Sequence, residues 1–167
     1  MTLHEFNILP KEKLIEELKK CCGSTAWVQR MLPFIPADDM VELLEDAEEE
    51  WWKCSQSDWK EAFAHHPKIG DTDSLRKKFA STATWASGEQ SGLSNASEET
   101  IRALAAANKL YEERFGFIFI VCATGKSAEE MLALLNQRLQ NEPDEEIVIA
   151  ADEQNKITKL RIEKLLE

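Results

Sequence analysis

Apolar residues recur at helical spacing along most of this chain, and this spacing constrains its fold more than any other feature. Leu14, Leu18 and Cys22, for example, follow one another at intervals of four residues. Side chains three or four residues apart share one face of an α-helix. No internal repeat or linker-like stretch interrupts the pattern. The sequence therefore predicts an all-α fold, a single-domain helical bundle that comprises residues 1–167.

Serine and glycine residues indicate where individual helices begin and end. Ser57 precedes a stretch with helical spacing, so we predict it as the N-cap of that helix. Ser127 and Glu130 have the spacing of a capping box and predict the start of a later helix. Gly116 is the natural stop of the helix before it. Between these helices, residues 70–96 are rich in Gly, Ser and Thr and predict a long loop-rich segment, which is more often functional than idle.

Seven consecutive apolar residues, Phe117–Ala123, interrupt the helical pattern. Periodicity alone does not distinguish a buried strand from buried extended chain in so short a run. Because seven residues are few for a sheet in an otherwise helical chain, we interpret the run as a buried extended segment near residues 117–123.

Composition excludes several classes of function. The net charge of −11 argues against binding of nucleic acid or anionic membranes, which requires clustered Lys and Arg. No stretch approaches the roughly 20 consecutive apolar residues that span a bilayer, and Met1–Phe6 lacks the features of a signal peptide. The four cysteines include no C-x-x-C pair, which favours reduced, buried thiols over a zinc or redox site. We therefore predict a cytoplasmic protein.

Two polar strings carry the candidate chemistry. His65 and His66 precede Pro67, which disfavours helical geometry at His66 and predicts a turn. Glu89 and Gln90 lie about twenty residues later. An imidazole and a carboxylate on separate loops suggest acid–base chemistry, and a carboxylate beside a carboxamide can bind urea-like groups. The alternatives are that His66 only caps a helix and that Glu89 lies in a solvated turn. His65 is predicted to be a packing or surface residue.

Arg161 is a third candidate, because it lies among apolar residues of the last predicted helix. A guanidinium in such a place can bind a carboxylate through two parallel hydrogen bonds. The alternative is an ordinary exposed helix charge.

Together these strings resemble the family of 2-oxo-4-hydroxy-4-carboxy-5-ureidoimidazoline (OHCU) decarboxylases, ureide-pathway enzymes that act after urate oxidation. The resemblance extends over nearly the whole chain. The matching strings are His65–Gly70, Glu89–Gln90 with Gly92–Leu93, Asn108-x-x-Tyr111-x-x-x-Phe115-Gly116, and Lys159–Ile162.

The resemblance implies an all-helical, commonly homodimeric enzyme that decarboxylates the small ureide OHCU to (S)-allantoin. It implies that neither a metal nor another cofactor is needed. His66 would be the catalytic residue, with Glu89 beside it. The residues implied to bind substrate are Pro67, Ala86, Ser87, Gly88, Gln90, Phe119, Ile120, Val121, Cys122, Ala123 and Arg161.

One departure and two alternatives accompany the resemblance. Ile118 stands where the family often has proline, so the wall of the site near Phe119 can differ in detail. A non-catalytic helical relative that binds a ureide or a protein is the main alternative. A decarboxylase or hydrolase of a related ureide is another. The presence of His66, Glu89 and Arg161 together favours the enzyme.

Overall fold

The structure is a computed structural model that describes residues 1–67, Asp73, Leu75 and residues 98–167. No β-strand occurs within these residues, so the predicted all-α fold is confirmed. Every helix in them is too short or too polar to cross a bilayer. The helices are α1 (Leu3–Asn7), α2 (Lys11–Cys21), α3 (Thr25–Met31) followed by a 3₁₀ turn (Leu32–Phe34), α4 (Met40–Trp52), α5 (Gln56–Ala64), α6 (Glu98–Phe115), α7 (Ala128–Arg138) and α8 (Pro143–Leu165).

The chain divides into two compact units. The first contains Met1–His66 and Ile147–Glu167, and the second contains Pro67–Glu146. The boundary between them falls inside α8, after its first four residues. That residues 1–167 form one domain stays a prediction.

Buried tryptophans organise the core of the first unit. Trp27 and Trp51 are at most 1% exposed. Their indole N–H groups donate to backbone carbonyls, that of Trp27 to Ala47 at 3.0 Å and that of Trp51 to Ala151 at 2.9 Å. The indole of Trp59 donates to the Trp51 carbonyl at 3.1 Å. Each large ring is thus buried with its N–H group paired. These hydrogen bonds connect α4 to α3, to α5 and to the part of α8 in this unit.

An aromatic cluster around Tyr111 fills the second unit. Tyr111 of α6 is fully buried, and its ring centroid lies 4.6 Å from that of Phe115 and 5.2 Å from that of Phe119. Helix α6 ends at Gly116 as predicted. Gly116 has a φ of 80°, a left-handed conformation that favours glycine, and its N–H donates to the Glu112 carbonyl at 2.9 Å. The chain therefore turns directly from α6 into the apolar run.

The predicted N-cap of α5 is wrong by two residues. Ser55, rather than Ser57, caps this helix: its hydroxyl accepts from the Asp58 N–H at 3.2 Å, and the Asp58 carboxylate accepts from the Ser55 N–H at 2.9 Å. This reciprocal pair requires an acidic residue three positions after the cap, which Ser57 does not have. The start of α7 is confirmed, since Ser127 accepts from the Glu130 N–H at 3.1 Å.

The apolar run Phe117–Ala123 forms neither helix nor strand, in agreement with its interpretation as non-strand chain. Its burial is uneven. Phe117 and Ile120 are buried, whereas the other five side chains are half-buried. The run is therefore partly in the core and partly accessible, as a segment that contacts a small molecule must be.

Candidate active site around His66

His66 lies two residues beyond the end of α5. The backbone N–H groups of His65 and His66 donate to the carbonyls of Ala62 and Phe63, both at 3.2 Å, and this tight turn completes the helix. Pro67 follows and is exposed; it has no N–H with which to extend the helix. The local sequence thus places a half-buried imidazole at the end of a helix, as the His-Pro pattern predicts.

A chain of buried polar side chains continues from His66 into the first unit. Oε1 of Gln154, on α8, lies 2.5 Å from Nε2 of His66. Nε2 of Gln154 donates to the Thr158 hydroxyl at 3.0 Å. Gln154 and Thr158 are each at most 3% exposed, so this arrangement is shielded from water.

The environment of His66 favours the neutral imidazole. Burial lowers its pKa below the ordinary value of 6.5, and the positive charges of Arg161 and His65 lower it further. The hydrogen bond with Gln154 acts in the opposite direction. A lowered pKa favours the uncharged imidazole, which is the form that can accept a proton.

Arg161 is neither an exposed helix charge nor remote from His66. Its side chain is half-buried on α8, and Nη1 donates to the carbonyls of Lys20 and Cys21 at 3.3 and 3.4 Å. These carbonyls belong to the last turn of α2, where a cation is favourable. Its charge also acts on His66. Although 95 positions apart in the sequence, the two residues are thus near enough for the charge of Arg161 to lower the pKa of His66.

His65 has a structural contact of its own. It is exposed, and its side chain approaches the backbone of Gly23 so closely that a Cβ added there would lie 2.4 Å from Cβ and from Cγ of His65. A side chain at position 23 would therefore force this turn to shift. The prediction that His65 is a packing or surface residue agrees with this geometry.

In the second unit, Arg138 holds the Phe119–Ala123 segment. Nη1 of Arg138 donates to the Ile120 carbonyl at 2.6 Å, and the guanidinium lies 4.5 Å from the ring centroid of Phe119. Nε and Nη2 of the same group donate to the Glu146 carboxylate at 2.8 and 2.5 Å. Both ends of this ion pair are buried. A fixed charge pair thus determines the path of the segment.

The remaining predicted site residues divide into two groups. Val121, Cys122 and Ala123 are half-buried in the second unit, and the Cys122 carbonyl accepts from Nζ of Lys126 at 2.8 Å. The others lie outside the described residues, so their role stays a prediction; they are Glu89, Ala86, Ser87, Gly88 and Gln90.

Gln154 and Arg138 are missing from the residues that the sequence predicts for the site. The sequence does contain a sign of both. Each is a polar residue that falls on the buried face of an amphipathic helix. A long polar side chain at such a position needs a partner, because an unpaired polar group is costly to bury. The sequence does not identify that partner, since it comes from another element.

Comparison with known proteins identifies the family. The family model described as OHCU decarboxylase matches residues 7–163. The chain belongs to the OHCU decarboxylase family. The prediction made from the His-Pro and Glu-Gln strings is thereby confirmed.

Individual relatives agree with this assignment. The Arabidopsis thaliana "uric acid degradation bifunctional protein TTL" is 39% identical over 153 residues, which are 90% of this chain and 46% of that protein. This chain thus corresponds to about half of the Arabidopsis protein. A Haloferax volcanii protein named 2-oxo-4-hydroxy-4-carboxy-5-ureidoimidazoline decarboxylase is 26% identical over 166 residues, which are 97% of this chain and 94% of that protein.

A solved structure shows the same fold. A crystal structure of OHCU decarboxylase in the presence of (S)-allantoin superposes with a TM-score of 0.73 and is 39% identical in sequence. The match covers 90% of this chain and 97% of the other. The helical architecture of this chain is therefore that of an OHCU decarboxylase.

Proposed function

We propose that this chain decarboxylates OHCU to (S)-allantoin in urate degradation, without a cofactor. The observation that carries the proposal is the half-buried imidazole of His66, whose pKa is lowered by burial and by the charge of Arg161. A base in the field of a cation suits an anionic substrate whose hydroxyl must lose a proton. Membership of the OHCU decarboxylase family and the relatives' names support the same reaction.

The chemistry of OHCU agrees with a site made only of side chains. Its carboxylate and a hydroxyl share one ring carbon, which is bonded to the carbon of a C=N group. When the bond between the ring carbon and the carboxylate breaks, CO2 leaves. The electron pair of that bond moves towards the C=N nitrogen, which takes a proton. The hydroxyl loses its proton and becomes the ring carbonyl, and the neighbouring carbon gains one. The substrate thus supplies its own electron acceptor.

The side chains would divide this work. His66 takes the hydroxyl proton and returns a proton to one face of the ring, which yields a single enantiomer. Arg161 attracts the anionic substrate and binds its oxygen atoms. Glu89 orients the reacting groups beside His66. The substrate contacts would be completed by Pro67, Ala86, Ser87, Gly88, Gln90, Phe119, Ile120, Val121, Cys122 and Ala123.

Circular dichroism of allantoin tests the proposal. OHCU is generated from urate by urate oxidase and hydroxyisourate hydrolase, and this chain is then added. We expect rapid appearance of the (S)-allantoin signal. A slow signal of racemic product, equal to that without the chain, would refute the enzyme and favour the non-catalytic ureide-binding alternative. Conversion of a related ureide but not of OHCU would favour a different substrate.

We further propose that the protein acts in the cytoplasm as a homodimer. Support for a dimer comes from apolar side chains of α8 that face outwards: Val148 is 47% exposed and Leu160 is 39% exposed. Sedimentation velocity is the test for the dimer. We expect twice the chain mass of 19.0 kDa, and a species of the chain mass alone at micromolar concentration would contradict it.

A further inference from the structure

The Gln154 amide has a polar partner at each end. Its nitrogen donates to the hydroxyl of Thr158, one helical turn further along α8, and its oxygen lies close to Nε2 of His66. Gln154 and Thr158 are each at most 3% exposed, so the amide is shielded from water.

These two contacts determine which nitrogen of His66 carries the proton. The amide nitrogen of Gln154 donates to the Thr158 hydroxyl at 3.0 Å. The amide oxygen then faces Nε2 of His66 at 2.5 Å. An amide oxygen only accepts, so Nε2 of His66 must carry the proton in this contact.

We propose that Gln154 is a positioning residue that holds the His66 imidazole as its Nε2–H tautomer and so leaves the Nδ1 lone pair as the base. The identity of the proton that Nδ1 takes rests on the proposed function, whereas the tautomer does not. The hydrogen bond at one ring nitrogen sets the protonation of the other, as in many histidine sites. Thr158 contributes by accepting from the amide nitrogen.

The burial of Gln154 makes the loss of a hydrogen-bond partner costly. Gln154 is 1% exposed, so water does not compensate for a lost partner. If the amide rotated, its N–H would face Nε2 of His66 and its oxygen would face the Thr158 hydroxyl, which would favour the opposite tautomer of His66. Among the described residues, Gln154 is the side chain that forms a hydrogen bond with the His66 imidazole.

Nitrogen NMR of the full 15N-labelled chain tests the proposal. Long-range proton–nitrogen spectra distinguish Nδ1–H from Nε2–H, and the signals of His66 are identified by their loss in His66→Asn. The variants are Gln154→Glu, which keeps an acceptor, and Gln154→Met, which removes it at similar length. Lys156→Met, on the exposed face of the same helix, is the matched control.

We expect the Nε2–H tautomer in the wild type, in Gln154→Glu and in Lys156→Met, and a mixture of tautomers in Gln154→Met. The pKa of His66 should rise in Gln154→Glu and fall in Gln154→Met, since the present hydrogen bond raises it. The acid limb of the activity profile should move in the same directions. Turnover by Gln154→Met should fall about three- to tenfold, the equivalent of one hydrogen bond.

An Nδ1–H tautomer in the wild type would overturn the proposal, as would equal tautomers and pKa values in all four proteins. If Gln154→Met does not fold, Thr158→Val replaces it, because loss of the hydroxyl frees the amide to rotate and should also mix the tautomers. Failure of the proposed function would give a different result from failure of the tautomer assignment. A wild-type chain with the Nε2–H tautomer and no turnover of OHCU would refute the reaction and retain the assignment of Gln154.

Discussion

Replacing Arg138 by methionine removes the charge that fixes the path of the Phe119–Ala123 segment. The change breaks the contacts of Nε and Nη2 with Glu146 and of Nη1 with the Ile120 carbonyl. It leaves Glu146, which is 0% exposed, without its cation. Breaking a buried pair in this way typically costs about 3–5 kcal/mol. We therefore expect a large loss of stability although the new side chain is of similar length.

Denaturant and thermal unfolding measure this loss. For a chain of this size about 1 kcal/mol corresponds to roughly 2–4 °C in Tm, so the Tm of Arg138→Met should fall by about 6–20 °C. The double variant Arg138→Met with Glu146→Gln removes both charges of this pair and keeps an acceptor for the Tyr111 hydroxyl. It should recover most of the stability. A loss below about 1 kcal/mol, or a double variant no more stable than the single one, would refute the reasoning.

Three further predictions concern the first unit. Gly23→Ala places a Cβ 2.4 Å from His65. Because the turn must shift, we expect the free energy of unfolding to fall by about 1–3 kcal/mol and turnover to decrease. Glu61 accepts from the N–H and hydroxyl of Thr25, and the backbone bond holds its pKa below the ordinary 4.5. A carboxylate with a lowered pKa stabilises the fold above its unfolded-state pKa and stops doing so as the pH falls through the folded-state value. Glu61→Gln should therefore lower Tm at neutral pH, and this difference should shrink below pH 4.5; a constant difference would contradict the assignment. The Cys22 thiol, with its pKa raised to about 12 by burial, should resist alkylation at neutral pH until the protein unfolds, as peptide mapping by mass spectrometry will show.

The helices could be predicted from the sequence because their signals are local. The spacing of Leu14 and Leu18 and the glycine at 116 need only a few neighbouring residues for their interpretation. The cap of α5 shows the limit of such signals. Ser55 and Ser57 both lie where the helix begins, and the acidic residue three positions after Ser55 identifies Ser55 as the cap.

The site could be predicted only in part because its geometry is tertiary. The turn at His66 follows from the proline after it, but the lowered pKa of His66 depends on burial and on Arg161, which comes from a distant helix. Gln154 resembles any other polar residue of α8 until its contact with His66 is known. Arg138 and Glu146 are eight residues apart, and their pairing depends on how α7 and α8 are connected.

The most direct test of catalysis by His66 is a comparison of two neighbouring variants, His66→Asn and His65→Asn. OHCU is generated enzymatically, and the initial rate of (S)-allantoin formation is followed by circular dichroism. A general acid–base residue typically contributes about 10²–10⁴-fold, so His66→Asn should lose activity by that factor. His65→Asn should retain most of it, because His65 packs beside Gly23. Near-full activity of His66→Asn, or equal losses in the two variants, would contradict the central role of His66.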